Sequence, residues 1–449
     1  MIHHIKYVEE IQCNFQNLIL ETLKLLKNKV HLSSVSIIKT VGININSRNF
    51  KLENVEFNDD NMIIITGYHN FKKAIVHSTN LSIKNIQNMI LFLSHILQYT
   101  SSDIYATLPK PELLSFKKIH IDLFYPYKFT IEKIMEEANI VESYALQDSN
   151  NVISTENINI SSHSNYYAFG NSYGMLGSYQ TTINKMYSFL IAKTHSNIMQ
   201  QDFSYTVARK KSDLYSPKDV GRESSKKVQE RLLAKKISTI NCPIIISASI
   251  SDEFFSHFIA AIYGTNVYKK STILLHSLHK KIFPKWLNII EEPHIHKGIL
   301  SKPFDLEGVQ TKSRFIVQNG VLCTWLLDSY SGNKLGFSST GHCGGIHNWC
   351  ISNSTNIHFK DLLKNMGTGL LVTEFMGQGV NIVTGSYSRG IFGFWVQNGE
   401  IQHPVHEVTI AGNLKDMWRS IIYISNDIEY RTGINCGSIL LDHMQISGI

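Results

Sequence analysis

A chain of 449 residues is too long for one ordinary core and predicts two or three domains. Hydrophobic residues make up 43% and charged residues 18%, which excludes a disordered chain, and no apolar run approaches the about 20 residues that cross a bilayer, which excludes a membrane span. The formal charge of +7 is small for this length and accompanies heavy use of Asn, Ile and Lys, so it argues against a nucleic-acid surface. In chain order, Val8, Ile11, Phe15, Leu18 and Ile19 fall at helical spacing and predict a leading helix over 8–28. From Val35 the period changes to two. Val35, Ile37, Val41, Ile43 and Ile45 share one face of a half-buried strand. LENVEF (52–57), MIIITGY (62–68) and KAIVHS (73–78) read as further short strands, and Ile83, Ile86, Ile90, Leu93 and Leu97 as a helix capped by Ser82.

Pro109, Pro111 and Pro126 mark residues 100–128 as a connector. A helix is predicted over 130–147. Strands follow at 151–160, 164–170 and 179–193, around the turn FGNSYGMLGSY (169–179). SPKDVGRESSKKVQERLLAKK (216–236) reads as a basic helix with Ser216 as cap and Pro217 at its first position. After Ile240 glycines become dense. FIVQNGVLCTWLL (315–327) and GFWVQNGEIQHPV (393–405) each place Asn-Gly between apolar runs, which predicts two type I′ hairpins. The fold class expected is α+β, with N-terminal antiparallel sheet-plus-helix layers followed by a large β-rich C-terminal domain. The boundaries expected are 1–105, 106–236 (ending in the basic helix) and 237–449.

Six scattered cysteines with no CxxC pair, and a start without the apolar core of a secretory signal, predict reduced thiols in the cytoplasm. The string DEFFSH (252–257) differs from a helical zinc-peptidase motif, H-E-x-x-x-H, only in its first residue. In that motif two imidazoles on adjacent turns hold the metal, and the Glu activates its water. Asp252 and His257 could still bind a metal if a third ligand arrived from elsewhere. The competing reading is an amphipathic helix, with Phe254, Phe255, Phe258 and Ile259 inward and two carboxylates favoured at its N-terminal end. GHCGGIHNWC (341–350) offers His342, Cys343, His347 and Cys350, but at no standard zinc spacing. GTNVYKKS (264–271) lacks the second glycine of a phosphate loop and follows a helix rather than a strand. His294 and His296 read as a surface pair.

STGHCGGIHNW (339–349), GTGLLVTEFMGQGVNIVTGSYSRGIFGFWVQNGEI (367–401) and VTIAGNLKDMW (408–418) resemble the C-terminal domain of the TldD/PmbA peptidase family, and within it the PmbA (TldE) branch. VEFNDD (55–60), YTSSD (99–103), DLFYP (122–126), FGNSYGMLGSY and the VGRE helix resemble its first two domains, so the resemblance covers essentially the whole chain. It implies a cytoplasmic assembly of two related chains. The TldD-type chain carries H-E-x-x-x-H and a distant cysteine that hold zinc, and cleaves unfolded or unstructured peptides in an enclosed chamber. Maturation of a peptide antibiotic and antitoxin degradation are the roles the family implies, with an older association with DNA gyrase.

Residue by residue, the first His of that motif falls on Asp252, while Glu253 and His257 match its Glu and second His. The metal cysteine falls on Phe375 or Met376. The resemblance therefore implies a vestigial Glu253 and His257, no metal in this chain, and zinc in the partner subunit. Expected partners are a TldD-type subunit and unfolded peptides, or a second copy when alone, with no membrane or nucleic acid. The glycine-rich turns, with Gly341, His342, Gly344, Gly345, His347 and Asn348 in one and Gly377, Gln378 and Gly379 in the other, are the expected peptide cleft, where backbone groups can pair with an extended strand. Two rival readings stand: a self-sufficient metalloprotease using Asp252 and His257, and a non-enzymatic regulator bound to gyrase or nucleic acid.

Overall fold

In the computed structural model, which describes residues 2–127, 129–147, 151–194, 199–354 and 357–448, the period-two run at Val35 is the middle of a longer strand, β1 (Leu32–Arg48). The two short strands expected at 52–57 and 62–68 are one, β2 (Lys51–His69). The polar stretch Asn58–Asn61 stays in register with Gly42–Lys39 of β1, so pairing overrides its turn propensity. β3 is Lys72–Ser78. In the same way 151–160 and 164–170 merge into β4 (Val152–Asn171), which turns at 172–175 into β5 (Leu176–Lys193). β6 (Met199–Ala208) was not foreseen from the sequence. The six strands make one antiparallel sheet in the order β3-β2-β1-β4-β5-β6. Its first two turns use Asn49-Phe50 and Asn70-Phe71, all four residues at positive φ.

Four helices cover one face of this sheet. α1 (Ile2–Leu26) and α2 (Ile83–Tyr99) bring Ile19, Leu26, Ile86 and Leu93 against Val35, Ile37, Ile63 and Ile65. The Val8 side chain, expected on the apolar stripe of the first helix, lies outside the described residues. Ser82 caps α2 as expected, its hydroxyl accepting from the Asn85 N–H. α3 (Ile131–Gln147) and α4 (Pro217–Glu230) bury Ile134, Val141 and Val220 on Ile43, Ile45, Ile158 and Ile160. Gly221 permits their contact: a Cβ there would sit 2.3 Å from the Val141 carbonyl oxygen. α4 is capped by Ser216 but stops at Glu230, short of 236. Arg231 beyond it turns inward to pair with Asp202 and Glu374, whereas Lys218, Lys226, Lys235 and Lys236 stay exposed.

The chain then forms β7 (Ile240–Ile246), α5 (Ser251–Ile262), α6 (Gly264–Tyr268), β8 (Ile289–Glu292), β9 (Arg314–Gln318), β10 (Val321–Leu322), α7 (Ser329–Leu335), β11 (Asn348–Ile351) and α8 (Phe359–Met366). It ends with β12 (Gly369–Met376), β13 (Ser386–Gln397), β14 (Glu400–Asn413), α9 (Leu414–Arg419), β15 (Ile421–Ile424), β16 (Ile434–Asn435) and β17 (Ile439–Ser447). Two sheets result. One runs β10-β9-β8-β11-β16. The other runs β14-β13-β12-β7-β17-β15, and β14 also pairs with β17, closing five of its strands into a barrel. Both Asn-Gly hairpins form with positive φ at both turn residues, Asn319-Gly320 in the first sheet and Asn398-Gly399 in the barrel. A large core of Phe, Trp and Ile side chains lies between these elements, and a smaller one lies under α8. Tyr167, Tyr179 and Phe304 join this part to the helix-free face of the first sheet. Among the described residues no helix is long and apolar enough to cross a membrane.

Candidate functional site

β7 leaves the barrel and leads, through a short turn at Ala248–Ile250, into α5. The amphipathic reading of DEFFSH holds for its packing. Phe254, Phe255 and Phe258 are fully buried, and Phe258 meets the rings of Phe283, Trp418 and Trp349 at 4.9, 5.4 and 6.0 Å. Asp252 and Glu253 stand in the first turn, where the helix dipole favours negative charge. Burial raises the Asp252 carboxyl above its ordinary value, and the nearby Glu253 and Glu429 carboxylates add to this.

The register of the barrel brings two further strands to this helix end. β12 runs parallel to β7 and antiparallel to β13, with Phe375 opposite Ile391 and Met376 opposite Gly390. Tyr387 and Arg389, two apart on β13, share one face of it. Arg389 Nη1 lies 3.0 Å from Glu253 Oε2 across 136 residues of sequence, and its guanidinium carbon sits 5.1 Å from the Phe375 ring centroid. The Tyr387 ring meets His257 edge-on at 5.9 Å. His257 Nε2 and the Tyr387 hydroxyl are both buried without a hydrogen-bond partner. Desolvation pulls His257 down to about 4, with the positive Arg389 as a second cause. At neutral pH His257 is thus an uncharged imidazole with an unused ring nitrogen.

The residues present do not fit a zinc ion. His257 alone offers a free, neutral nitrogen. Glu253 is held by a fixed cation, Phe375 has no lone pair to donate, and Met376 is a thioether with 39% of its surface exposed. Among the described residues no three His, Cys, Asp or Glu side chains are grouped to hold a metal.

The expected peptide cleft divides in two. Gly344, Gly377, Gln378 and Gly379 are exposed and Gly345 is partly so, while Gly341 is buried. His342, His347 and Asn348 are buried, at 0, 2 and 2% exposure, so their side chains do not line a cleft of this chain. His342 and His347 flank Glu291 of β8. Glu291 Oε1 lies 3.0 Å from His342 Nε2 and accepts from the His347 backbone N–H at 3.1 Å and the Trp349 indole at 3.3 Å. His342 Nδ1 meets the Thr340 hydroxyl at 2.8 Å, and His347 Nε2 the Gly341 carbonyl at 3.0 Å. Asn348 bonds Glu292, Ser301 and Leu300. Thr340, His342 and Glu291 have the residue types of a nucleophile triad. The Thr340 oxygen, however, accepts from the Leu327 N–H and faces the Trp325 and Leu327 carbonyls, which ties it into the backbone. His294, expected at the surface, bonds Thr311 at 2.9 Å, whereas His296 is exposed.

The exposed turn between β12 and β13 has its own steric requirement. A Cβ on Gly379 would lie 1.7 Å from the Ser388 carbonyl oxygen. Gly379→Ala is therefore expected to displace the Gly377–Gly379 turn from β13 and cost about 1–3 kcal/mol or more. Faster amide hydrogen exchange at Ser388, whose N–H donates to the Gly379 carbonyl, reports the change. Unaltered exchange there would show that the close approach does not restrain the turn.

Residues 124–232 match the model of the PmbA/TldA metallopeptidase central domain, and 239–448 that of its C-terminal domain. The chain belongs to the PmbA/TldD metallopeptidase family. Its branch follows from a relative named metalloprotease PmbA homolog, from Buchnera aphidicola of Acyrthosiphon pisum, 46% identical over 444 residues and 99% of each chain. Two solved structures share the fold. A Bacteroides thetaiotaomicron protein described as a modulator of DNA gyrase has TM-score 0.91 and 23% identity, covering 96% of this chain and 98% of that one. TldE from Thermococcus kodakarensis has TM-score 0.83 and 17% identity, covering 96% and 100%.

Arg389 and Tyr387 were missed in the sequence, although the alternation in SYSR (386–389) places them on one strand face. Glu291 was missed because IIEE (289–292) carries nothing that distinguishes its buried carboxylate from the neighbouring one.

Proposed function

We propose that this chain is the metal-free subunit of a cytoplasmic two-chain peptidase. It pairs with a zinc-bearing TldD-type chain, and the pair hydrolyses unfolded or unstructured peptides, as in peptide-antibiotic maturation or antitoxin degradation. Family membership supports the reaction class. The observation that carries the division of labour is the ion pair between Glu253 and Arg389, which occupies the carboxylate a metal-bound water would need. The exposed backbone around Gly344–Gly345 and Gly377–Gly379 is where this chain offers hydrogen bonds to an extended substrate.

Co-expression with a TldD-type chain tests the reading. The two chains are expected to purify together, with zinc in the TldD-type chain only. Glu253→Gln in this chain is expected to leave the rate of peptide hydrolysis by the pair within about twofold, because one carboxylate not used in the transition state contributes nothing to kcat/KM. Stoichiometric zinc and peptide cleavage by this chain alone, abolished by Glu253→Gln, would replace the proposal with the self-sufficient peptidase. DNA binding that weakens steeply with salt, without peptidase activity of the pair, would replace it with a nucleic-acid role.

A further inference from the structure

We propose that Arg389 is a resident cation standing where a metal would need to be, and that its charge keeps divalent ions out of the pocket at the N-terminal end of α5. The inference rests on the reading that this chain works without a metal, and supplies the physical cause. Arg389 is held on three sides. Its Nη1 meets Glu253 Oε2 at 3.0 Å, its Nε lies 3.5 Å from the Met376 carbonyl oxygen, and its guanidinium stacks over Phe375 at 5.1 Å. Only 10% of the side chain is exposed. A guanidinium stays protonated and is weakly hydrated, so it tolerates this shielding better than an ammonium. Although 45% of the Glu253 side chain is exposed, a dication drawn to it would approach within a few ångströms a positive charge that is itself largely shielded.

The surroundings fit a site from which a metal is barred by charge as well as by want of ligands. His257 Nε2 remains a buried, unpartnered lone pair, and the unpartnered Tyr387 hydroxyl belongs to the ring beside it. A donor is therefore present near the guanidinium, and the carboxylate that would neutralise a metal is already neutralised. Replacing ligands alone should not restore binding while the guanidinium stays.

The test uses the full chain with Asp252→His and Phe375→Cys, which with His257 supply two imidazoles and a thiolate, a donor set sufficient for zinc. In this background Arg389 is kept, changed by Arg389→Lys, or changed by Arg389→Met. Cobalt(II) is titrated and its thiolate absorption bands followed, zinc content is assayed, and far-UV circular dichroism checks the fold. The Arg389→Met chain is expected to bind cobalt at least about 100-fold more tightly than both charged forms, as a lost like-charge repulsion requires. Equal affinity in the three, or Arg389→Lys behaving as Arg389→Met, overturns the inference.

Should the multiple variants not fold, the single Arg389→Met chain is compared with the unaltered chain by NMR of the histidine rings under zinc titration. The His257 signals are expected to respond at lower zinc concentration in the variant, and an identical response overturns the inference. Stoichiometric zinc in the unaltered chain would sink the metal-free reading as well. Equal variant affinities with an unaltered chain free of zinc would sink only the role of Arg389.

Discussion

Phe258→Ala is expected to lower the stability of the C-terminal part of the chain by about 3–5 kcal/mol, the range for truncating a fully buried aromatic residue. The ring is wholly enclosed and sits at the meeting of three others, from Phe283, Trp349 and Trp418. Those three come from separate segments, so no local rearrangement can refill the space. The same ring fixes α5, and α5 carries Glu253 and His257. The substitution should therefore loosen the ion pair with Arg389 as well as the core. Both tryptophans lie within about 6 Å of the altered ring, so their fluorescence during urea unfolding reads the transition directly. A loss below about 1 kcal/mol would show that the helix is not held by its apolar face.

Glu291→Ala is expected to be nearly as costly, again about 3–5 kcal/mol, through a different cause. It removes the acceptor of a buried cluster and leaves the His342 ring nitrogen, the His347 N–H and the Trp349 indole without a partner; Arg314, 3.7 Å from the carboxylate, loses its counter-charge. Burial by itself would raise the Glu291 carboxyl. The hydrogen bond and charge of His342, with His347, outweigh it and hold the group down at about 2.

A depressed carboxyl stabilises the fold at pH above its unfolded value of 4.5, and this contribution is lost as pH falls through about 2. Its size follows from the shift and is about 3 kcal/mol. Glu291→Gln keeps the shape and some of the hydrogen bonds but cannot ionise. The unaltered chain should therefore lose stability between pH 5 and pH 2 more steeply than Glu291→Gln, in urea unfolding followed across that range. Parallel pH profiles would show that Glu291 does not titrate as the geometry requires.

The residue pattern was read correctly wherever the determining interaction is local. The stripe of α2, the Ser82 and Ser216 caps, the inward Phe face of α5 and the two Asn-Gly turns all depend on residues within one or two turns of each other. It was misread wherever a partner strand decided. Asn58–Asn61 looks like a turn by composition and is held in a strand by β1. The break expected between 160 and 164 is likewise bridged, because β4 pairs with β1 on one side and β5 on the other.

By itself, the sequence determined the secondary-structure periods and the kinship of the chain. It also carries the string DEFFSH, in which Asp252 stands where H-E-x-x-x-H has its first His. The tertiary structure alone decided which polar residues face inward and which charges meet. His342 and His347 lie on a glycine-rich turn that reads as exposed, yet they close around a carboxylate more than fifty residues before them. Glu253 and Arg389 meet only because β7, β12 and β13 are neighbours in one barrel. Such contacts leave no local trace, because a side chain's propensity is set by its own backbone, whereas its partner is set by the path of the whole chain.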